Sequence, residues 1–370
     1  MSHVRRAVAC IVALTALLSV PALGAGATSS TVVTNAVTYL SASPPQIAGT
    51  DPSTGSGAWD TDPQFQFVTT EAVLAIAEAA QTGTTWSTSE AAAAVAATKN
   101  ADGENPLAFL DLVKGFATSP GQAAKYLVLV AAPLGQDTSA LATTIGDPNP
   151  DGSFASDLHF TDTLFAALAK KVLTGSVPAS TVAYIEGKQQ AAGSWAYDAT
   201  PATEPDIDTT GLALQALIAG GVPQNDPVIT KALAWIAGQQ NADGTWSFFG
   251  DESAESTSRA VLAVTAAGYD PDSRCWRDTV FPDGAGQPFV GADDALASLA
   301  HPDGSIAGPN VYSAAYATGQ AVQGLERSWL PVARATDVAC APVTPVTPDT
   351  PVVSPNVVVA PVVASPRFTG

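Results

Sequence analysis

Histidine, methionine, cysteine and basic side chains are all scarce in this chain. Among 370 residues there are three His, one Met and three Cys, and 15 Lys and Arg stand against 34 Asp and Glu. The net charge of −19 makes the surface repel nucleic acid and anionic lipid headgroups and gives a diphosphate no basic cradle. Past residue 27 only His159 and His301 remain. Neither is spaced as a ligand with Cys275, so no metal centre of the zinc type is expected. After Ala22 no apolar run is long enough to cross a bilayer.

The one long apolar run is at the start. Arg5 and Arg6 precede Ala7 to Ala22, and Ala25-Gly26-Ala27 supplies small residues. Residues 1–27 therefore read as a secretory signal removed after about Ala27, the alternative being an uncleaved anchor. On this reading the protein is secreted, with association to the cell envelope open to it. Cys10 leaves with the signal, and Cys275 and Cys340 form an even pair in an oxidising compartment. A disulfide between them is expected, the alternative being two free thiols.

What is present in quantity is apolar side chain, 46% of the sequence, enough for a large core. It is arranged in repeats. The segments "YIEGKQQAAGSW" at 184–195 and "WIAGQQNADGTW" at 235–246 share aromatic-Ile-x3-Gln-x3-Gly-x-Trp. Weaker copies end at Gly57-Ala58-Trp59, Gly152-Ser153-Phe154 and Gly304-Ser305-Ile306. Each turn leads into a second apolar segment starting at a hydroxyl, which places Thr70, Thr163, Thr210, Ser258 and Thr318 in one column, with Thr118 filling the gap. Ile229, Ala232, Leu233 and Ile236 share one helical face, as do Leu214, Leu217 and Ile218 in the partner helix. Helix pairs at this period must stack to bury their apolar faces, and six pairs can close a ring. The fold class expected is all-α: an (α/α)6 toroid over residues 30–335, its Ala- and Gly-rich second helices inside. Residues 336–370, rich in Pro, Val and Thr, read as a disordered flexible tail.

The two strong copies resemble the QW repeat of squalene and hopene cyclases, in a superfamily that includes protein prenyltransferases. The resemblance implies structural roles for Gln189, Trp195, Gln240 and Trp246, with the Gln capping a neighbouring helix and the Trp packing over it. In the cyclases an Asp-x-Asp-Asp motif supplies the acid that protonates an alkene. Asp206-Ile207-Asp208-Thr209 matches it at Asp206 and Asp208, while Thr209 replaces the last acid. The resemblance makes Asp208 the candidate general acid of a cyclase. The residues themselves read equally as a helix cap, since an Asp before an apolar helix satisfies its first N–H groups. The zinc set of the prenyltransferase branch is not matched.

The triterpene enzymes resembled use two helical domains, and this chain offers one. A secreted, non-catalytic toroid is therefore expected, binding a small molecule or a cell-envelope component at a rim containing Asp206, Asp208, Thr210, Asp251, Glu252, Ser258 and Thr318. With Asp157, Asp162 and Glu255 these carboxylates either converge, where they could hold Ca²⁺, or act singly at helix starts. No other cofactor is expected.

Overall fold

The computed structural model describes residues 25–42, 45–64, 67–154, 159–284, 286–331 and 333–334. The signal, the tail, Asp157 and Cys340 lie outside the described residues, apart from α1 starting at Ala25. Among those described there are fourteen α-helices and two small antiparallel hairpins.

Six helices form an inner ring: α2 (Val68–Ala79), α5 (Pro120–Tyr126), α7 (Phe160–Thr174), α9 (Ile207–Ala219), α11 (Ala254–Ala266) and α14 (Ala314–Glu326). α5 continues into a π-helical turn, Leu127–Ala131, which packs on α2. From there each inner helix packs on the next, and α14 packs on α2, so the ring closes. α9 is buried on nearly every side, as a helix walled in by neighbours must be. Small residues let the helices approach. A Cβ on Gly211 would stand 2.7 Å from the Arg259 carbonyl oxygen, and one on Gly319 would stand 3.0 Å from the Glu71 backbone.

The outer layer is α1 (Ala25–Leu40), α3 (Thr88–Ala97), α4 (Leu107–Phe116), α6 (Ser139–Ile145), α8 (Ala179–Gly187), α10 (Pro227–Gly238), α12 (Arg274–Val280) and α13 (Ala292–Ser298). It exceeds six because two connections each add a helix. α8 and α10 bury one face each, and on α10 this is the expected Ile229, Ala232, Leu233 and Ile236. The fold is thus the expected α/α toroid, with α1 packed against α13 and α14 as the outer closure.

The repeated turns follow outer helices, and after all but one the next α-helix is an inner one. Each contains a left-handed glycine: Gly57, Gly103, Gly152, Gly193, Gly244 and Gly304. Gly103, in "NADGEN", is the sixth copy, which has Asn105 where the others have an aromatic residue or Ile306. Five of these glycines also meet the following repeat. A Cβ on Gly152 would lie 2.1 Å from the Ser180 carbonyl oxygen, and one on Gly193 would lie 2.4 Å from that of Lys231. On Gly304 it would lie 2.5 Å from the oxygen of Asn35, across the ring closure. No side chain fits there, whatever its φ preference.

The tryptophans and glutamines divide the remaining work differently from the resemblance. The indole N–H of Trp195 donates to the Ile185 carbonyl at 2.8 Å and that of Trp246 to Ile236 at 2.8 Å. Trp59 does the same to Leu40 at 3.1 Å. These carbonyls sit in the last turn of the outer helix, where intrahelical partners run out. Lys188 N also donates to Ile185 at 3.2 Å and Gln239 N to Ile236 at 3.1 Å, so the tryptophan shares in capping the helix end. Gln189 Nε2 instead donates to the Gly193 carbonyl and, across the repeat boundary, to Val228, both at 2.8 Å. Gln240 bridges Gly244 and Val290 in the same way.

The hydroxyl column holds with a correction of register. The backbone N–H of the residue two after the turn glycine is received by Thr163 from Phe154, by Thr210 from Trp195 and by Thr318 from Ile306. In the other two repeats the acceptors are Thr69 and Thr257, not Thr70 and Ser258. From Thr69 to Thr163 is 94 residues, then 47 and 47 to Thr210 and Thr257. The even spacing marks the correct register. The second inner helix starts not at Thr118 but with Ser119, in a capping box with Gln122.

Candidate functional site

Because outer and inner helices alternate in direction, one end of the ring collects the inner helix N-termini and the segments leading into them. Exposed aromatic rings gather at this end. Phe67, Tyr197, Phe248, Phe249 and Tyr312 all lie between a turn and its inner helix, and Phe249 and Tyr312 are 89% and 78% exposed. Lys125 of α5 sets its ammonium 4.2 Å from the Phe67 ring centre, a cation–π contact at the same rim. Burial lowers that ammonium's pKa to about 8.

A cleft of about 580 Å³ opens here between α9, α11 and α14. One wall is the hairpin of β1 (Trp246–Phe248) and β2 (Asp251–Ser253), with Phe249 at its tip in a left-handed conformation, φ 48°. The other is the loop before α14. The two walls brace each other. Asn310 Nδ2 donates to Asp251 Oδ2 at 2.7 Å, and Gly308 runs so close that a Cβ would lie 2.0 Å from the Glu252 carbonyl oxygen. Ser253 and Ser313 cap the two helices that follow.

Asp208 lines the cleft where it meets α9. Its pKa is raised to about 6, first by burial and then by the Asp206 carboxylate, while Arg259 and the Ser256 hydroxyl oppose the shift. Its Oδ1 is buried with no hydrogen-bond partner. Two residues earlier, Asp206 is the N-cap of α9, its Oδ1 accepting from Thr209 N at 2.6 Å. The two readings of this motif therefore separate: Asp206 takes the capping role and Asp208 does not.

Below the cleft the ring holds a buried ion pair. Glu71 of α2 is fully buried and pairs with Arg259 of α11 at 2.9 Å. Its two oxygens also accept from Gln320 Nε2 at 3.2 Å and Gln323 Nε2 at 2.7 Å, both on α14. Gln320 in turn donates to the Tyr316 hydroxyl at 2.9 Å. One carboxylate thus links the first, fifth and sixth repeats, which are consecutive around the ring.

Of the expected contact residues, Asp208, Asp251 and Glu252 line the cleft. Thr210, Ser258 and Thr318 do not belong to a contact surface. All three are fully buried, and their hydroxyls bond backbone: Thr210 to Trp195, Thr318 to Ile306 and Ser258 to the Gln320 carbonyl. Phe248, Phe249, Asn310 and Glu71 are additions of the structure. Among the described residues no group of three or more carboxylate, His or Cys side chains is arranged to hold a metal ion. Cys275 is on α12, and its expected partner Cys340 is not among the described residues.

A closed ring of inner helices, an outer layer and a glycine turn at each junction define an α/α toroid. Residues 159–277 match the squalene-hopene cyclase C-terminal domain family. The chain is similar to a squalene-hopene cyclase of Bradyrhizobium diazoefficiens, 36% identical over 118 residues, covering 28% of this chain and 17% of that protein. It is also similar to one of Schizosaccharomyces japonicus, 33% identical over 57 residues, covering 15% and 9%. The chain thus spans less than a fifth of the length of these curated relatives. Among solved structures it resembles the type II terpene cyclase MstE of Scytonema in complex with merosterolic acid A, with TM-score 0.52 and 16% identity, over 82% of this chain and 98% of that one. A protein from Actinoplanes is similar with TM-score 0.50 and 16% identity, over 81% and 99%. The solved structures show the α/α toroid fold, and over residues 159–277 the chain is similar to the squalene-hopene cyclase C-terminal domain.

Proposed function

We propose that this protein is an exported, non-catalytic α/α toroid that binds a small molecule, or the exposed part of a cell-envelope component, in the cleft at the mouth of the ring. The observation that carries this reading is the braced cleft of about 580 Å³, a size suited to a metabolite. Exposed aromatic side chains at its lip lack the apolar partners that a folded chain normally gives them. Native mass spectrometry after exposure to lipid and metabolite extracts tests it. A discrete retained mass is expected, lost in the Phe249→Ala/Tyr312→Ala variant. Only the bare protein, or a mass indifferent to that variant, would remove the cleft as the binding site.

A second reading, terpenoid cyclisation with Asp208 as general acid, is favoured by two observations. Asp208 is a buried carboxyl that holds its proton up to about pH 6, and a single toroid of this size matches a type II terpene cyclase over 98% of its length. The want of a second domain therefore does not count against it. The chemistry of the site does. Protonating an alkene demands a strong acid, whereas burial makes Asp208 a weaker one than an ordinary carboxyl. The ring's interior moreover carries the buried Glu71–Arg259 pair. Incubation with squalene and geranylgeranylated arenes, read by gas or liquid chromatography, is expected to return the substrates unchanged. A cyclised product that disappears in Asp208→Asn would establish the enzyme instead.

A further inference from the structure

We infer that the mouth cleft selects an organic cation, an ammonium or quaternary ammonium group on an apolar body. This rests on the binding reading above and adds the chemical class of the ligand. Four carboxylates line the cleft, Asp208, Asp251, Glu252 and Glu255, and no Lys or Arg is among its lining residues. The nearest guanidinium, Arg259, lies beneath and is engaged by Glu71 at 2.9 Å.

The bland explanation is that acids sit at helix starts to offset the dipoles, and magnitudes decide how far it reaches. Each helix N-terminus carries roughly half a positive charge, so α9, α11 and α14 together offset only about one and a half of the four negative charges. Asp251 and Glu252 are moreover in a β-hairpin, and so cap no helix at all. Glu255 Oε2 accepts a hydrogen bond from Ser253 Oγ and Asp251 Oδ2 one from Asn310, both from neutral donors. The cleft keeps a surplus of negative charge that its own residues do not neutralise.

A second, independent observation points to a ligand: the kind of apolar surface present. Phe248, Phe249, Tyr312 and Tyr316 supply ring faces, whose negative quadrupoles attract a cation as well as an alkyl chain. Aromatic faces with carboxylates suit an ammonium on a hydrocarbon body. They are poor for a sulfate or phosphate, and a neutral sugar would gain nothing from the charge.

Calorimetric titration of the exported protein with three octyl amphiphiles below their micelle concentrations tests this: octyltrimethylammonium, octyl glucoside and octyl sulfate. The cation is expected to bind at least tenfold more tightly than the glucoside, and the sulfate more weakly than both. Asp251→Asn/Glu252→Gln, verified as folded by circular dichroism, is expected to cut affinity for the cation at least threefold and leave that for the glucoside unchanged. Equal binding of all three, or a cation affinity untouched by the double variant, would overturn the choice of a cation and leave an apolar binding cleft standing. Failure of all three to bind would overturn the binding reading together with it.

Discussion

The turns of the toroid and the segments that follow them are neighbours in sequence but obey different rules. In the turns polar groups are paired and space is filled: Trp195 and Trp246 are fully buried with their N–H groups bonded, and glycines meet the next repeat where no Cβ fits. The segments between turn and inner helix vary in length, from 9 residues between Phe154 and Thr163 to 15 between Trp195 and Thr210. They expose aromatic rings and surround the carboxylate of Asp208. The first set of residues builds the ring. The second is placed by the ring and is free to meet something else.

Substitutions can break this division, the largest effects falling on the ring. Glu71→Gln leaves the Arg259 guanidinium buried without its carboxylate and is expected to cost about 3–5 kcal/mol, measured by urea unfolding. Adding Arg259→Met should recover much of the loss, since the buried charge goes with it. Gly152→Ala combines a left-handed φ of 93° with a carbonyl oxygen 2.1 Å from the new Cβ, and a loss of about 2–4 kcal/mol is expected in the same assay. Trp195→Phe keeps most of the packing but removes the indole's hydrogen bond to the Ile185 carbonyl, which keeps that from Lys188 N, for a loss of about 0.5–1.5 kcal/mol. Phe249→Ala, at an 89% exposed position, should leave stability within about 0.5 kcal/mol. The same variant should weaken octyltrimethylammonium binding several-fold by calorimetry. A large stability loss there would mean that the hairpin tip belongs to the core after all.

The ring was legible because its signals are local and repeated. Gly and Trp recur at fixed offsets, and Ile229 to Ile236 show their face without reference to any other segment. The register of the hydroxyl column was harder, because Thr69-Thr70 and Thr257-Ser258 each put two hydroxyls side by side. Only the 47-residue spacing from Thr163 to Thr210 chooses between them. Gly103 escaped because Asn105 stands where an aromatic was sought. The tryptophan's role as cap was hidden, since sequence tells where an indole is but not which carbonyl its N–H reaches.

The site was less legible, for a physical reason. The Glu71–Arg259 pair joins residues 188 apart, and the cleft needs α9, a hairpin and a loop near residue 310 together. Such juxtapositions leave no periodic trace in a sequence. Asp206 and Asp208 were visible as a motif, yet their division of labour depends on which carboxylate faces Thr209 N and which faces the cleft. Thr210, Ser258 and Thr318 were drawn to the rim by their place at helix starts, but they turn inward to backbone groups.

The central claim is that the mouth is maintained for contact with a ligand at a cost in stability, and Asp208 tests it most directly. Its carboxyl is raised from 3.8 to about 6 in the folded protein, so the folded state holds the proton more tightly than the unfolded chain. Its contribution is fully favourable below about pH 4 and is lost as pH rises through about 6. At pH 7 the buried carboxylate costs about 3 kcal/mol, since each tenfold gain in proton affinity on folding corresponds to about 1.4 kcal/mol. Urea unfolding of wild type and Asp208→Asn at pH 4 and pH 7 is the measurement. The account predicts that the variant is more stable by about 1–3 kcal/mol at pH 7, with the difference vanishing at pH 4. A variant less stable than wild type at pH 7 would show that Asp208 is part of the scaffold, and would contradict the account.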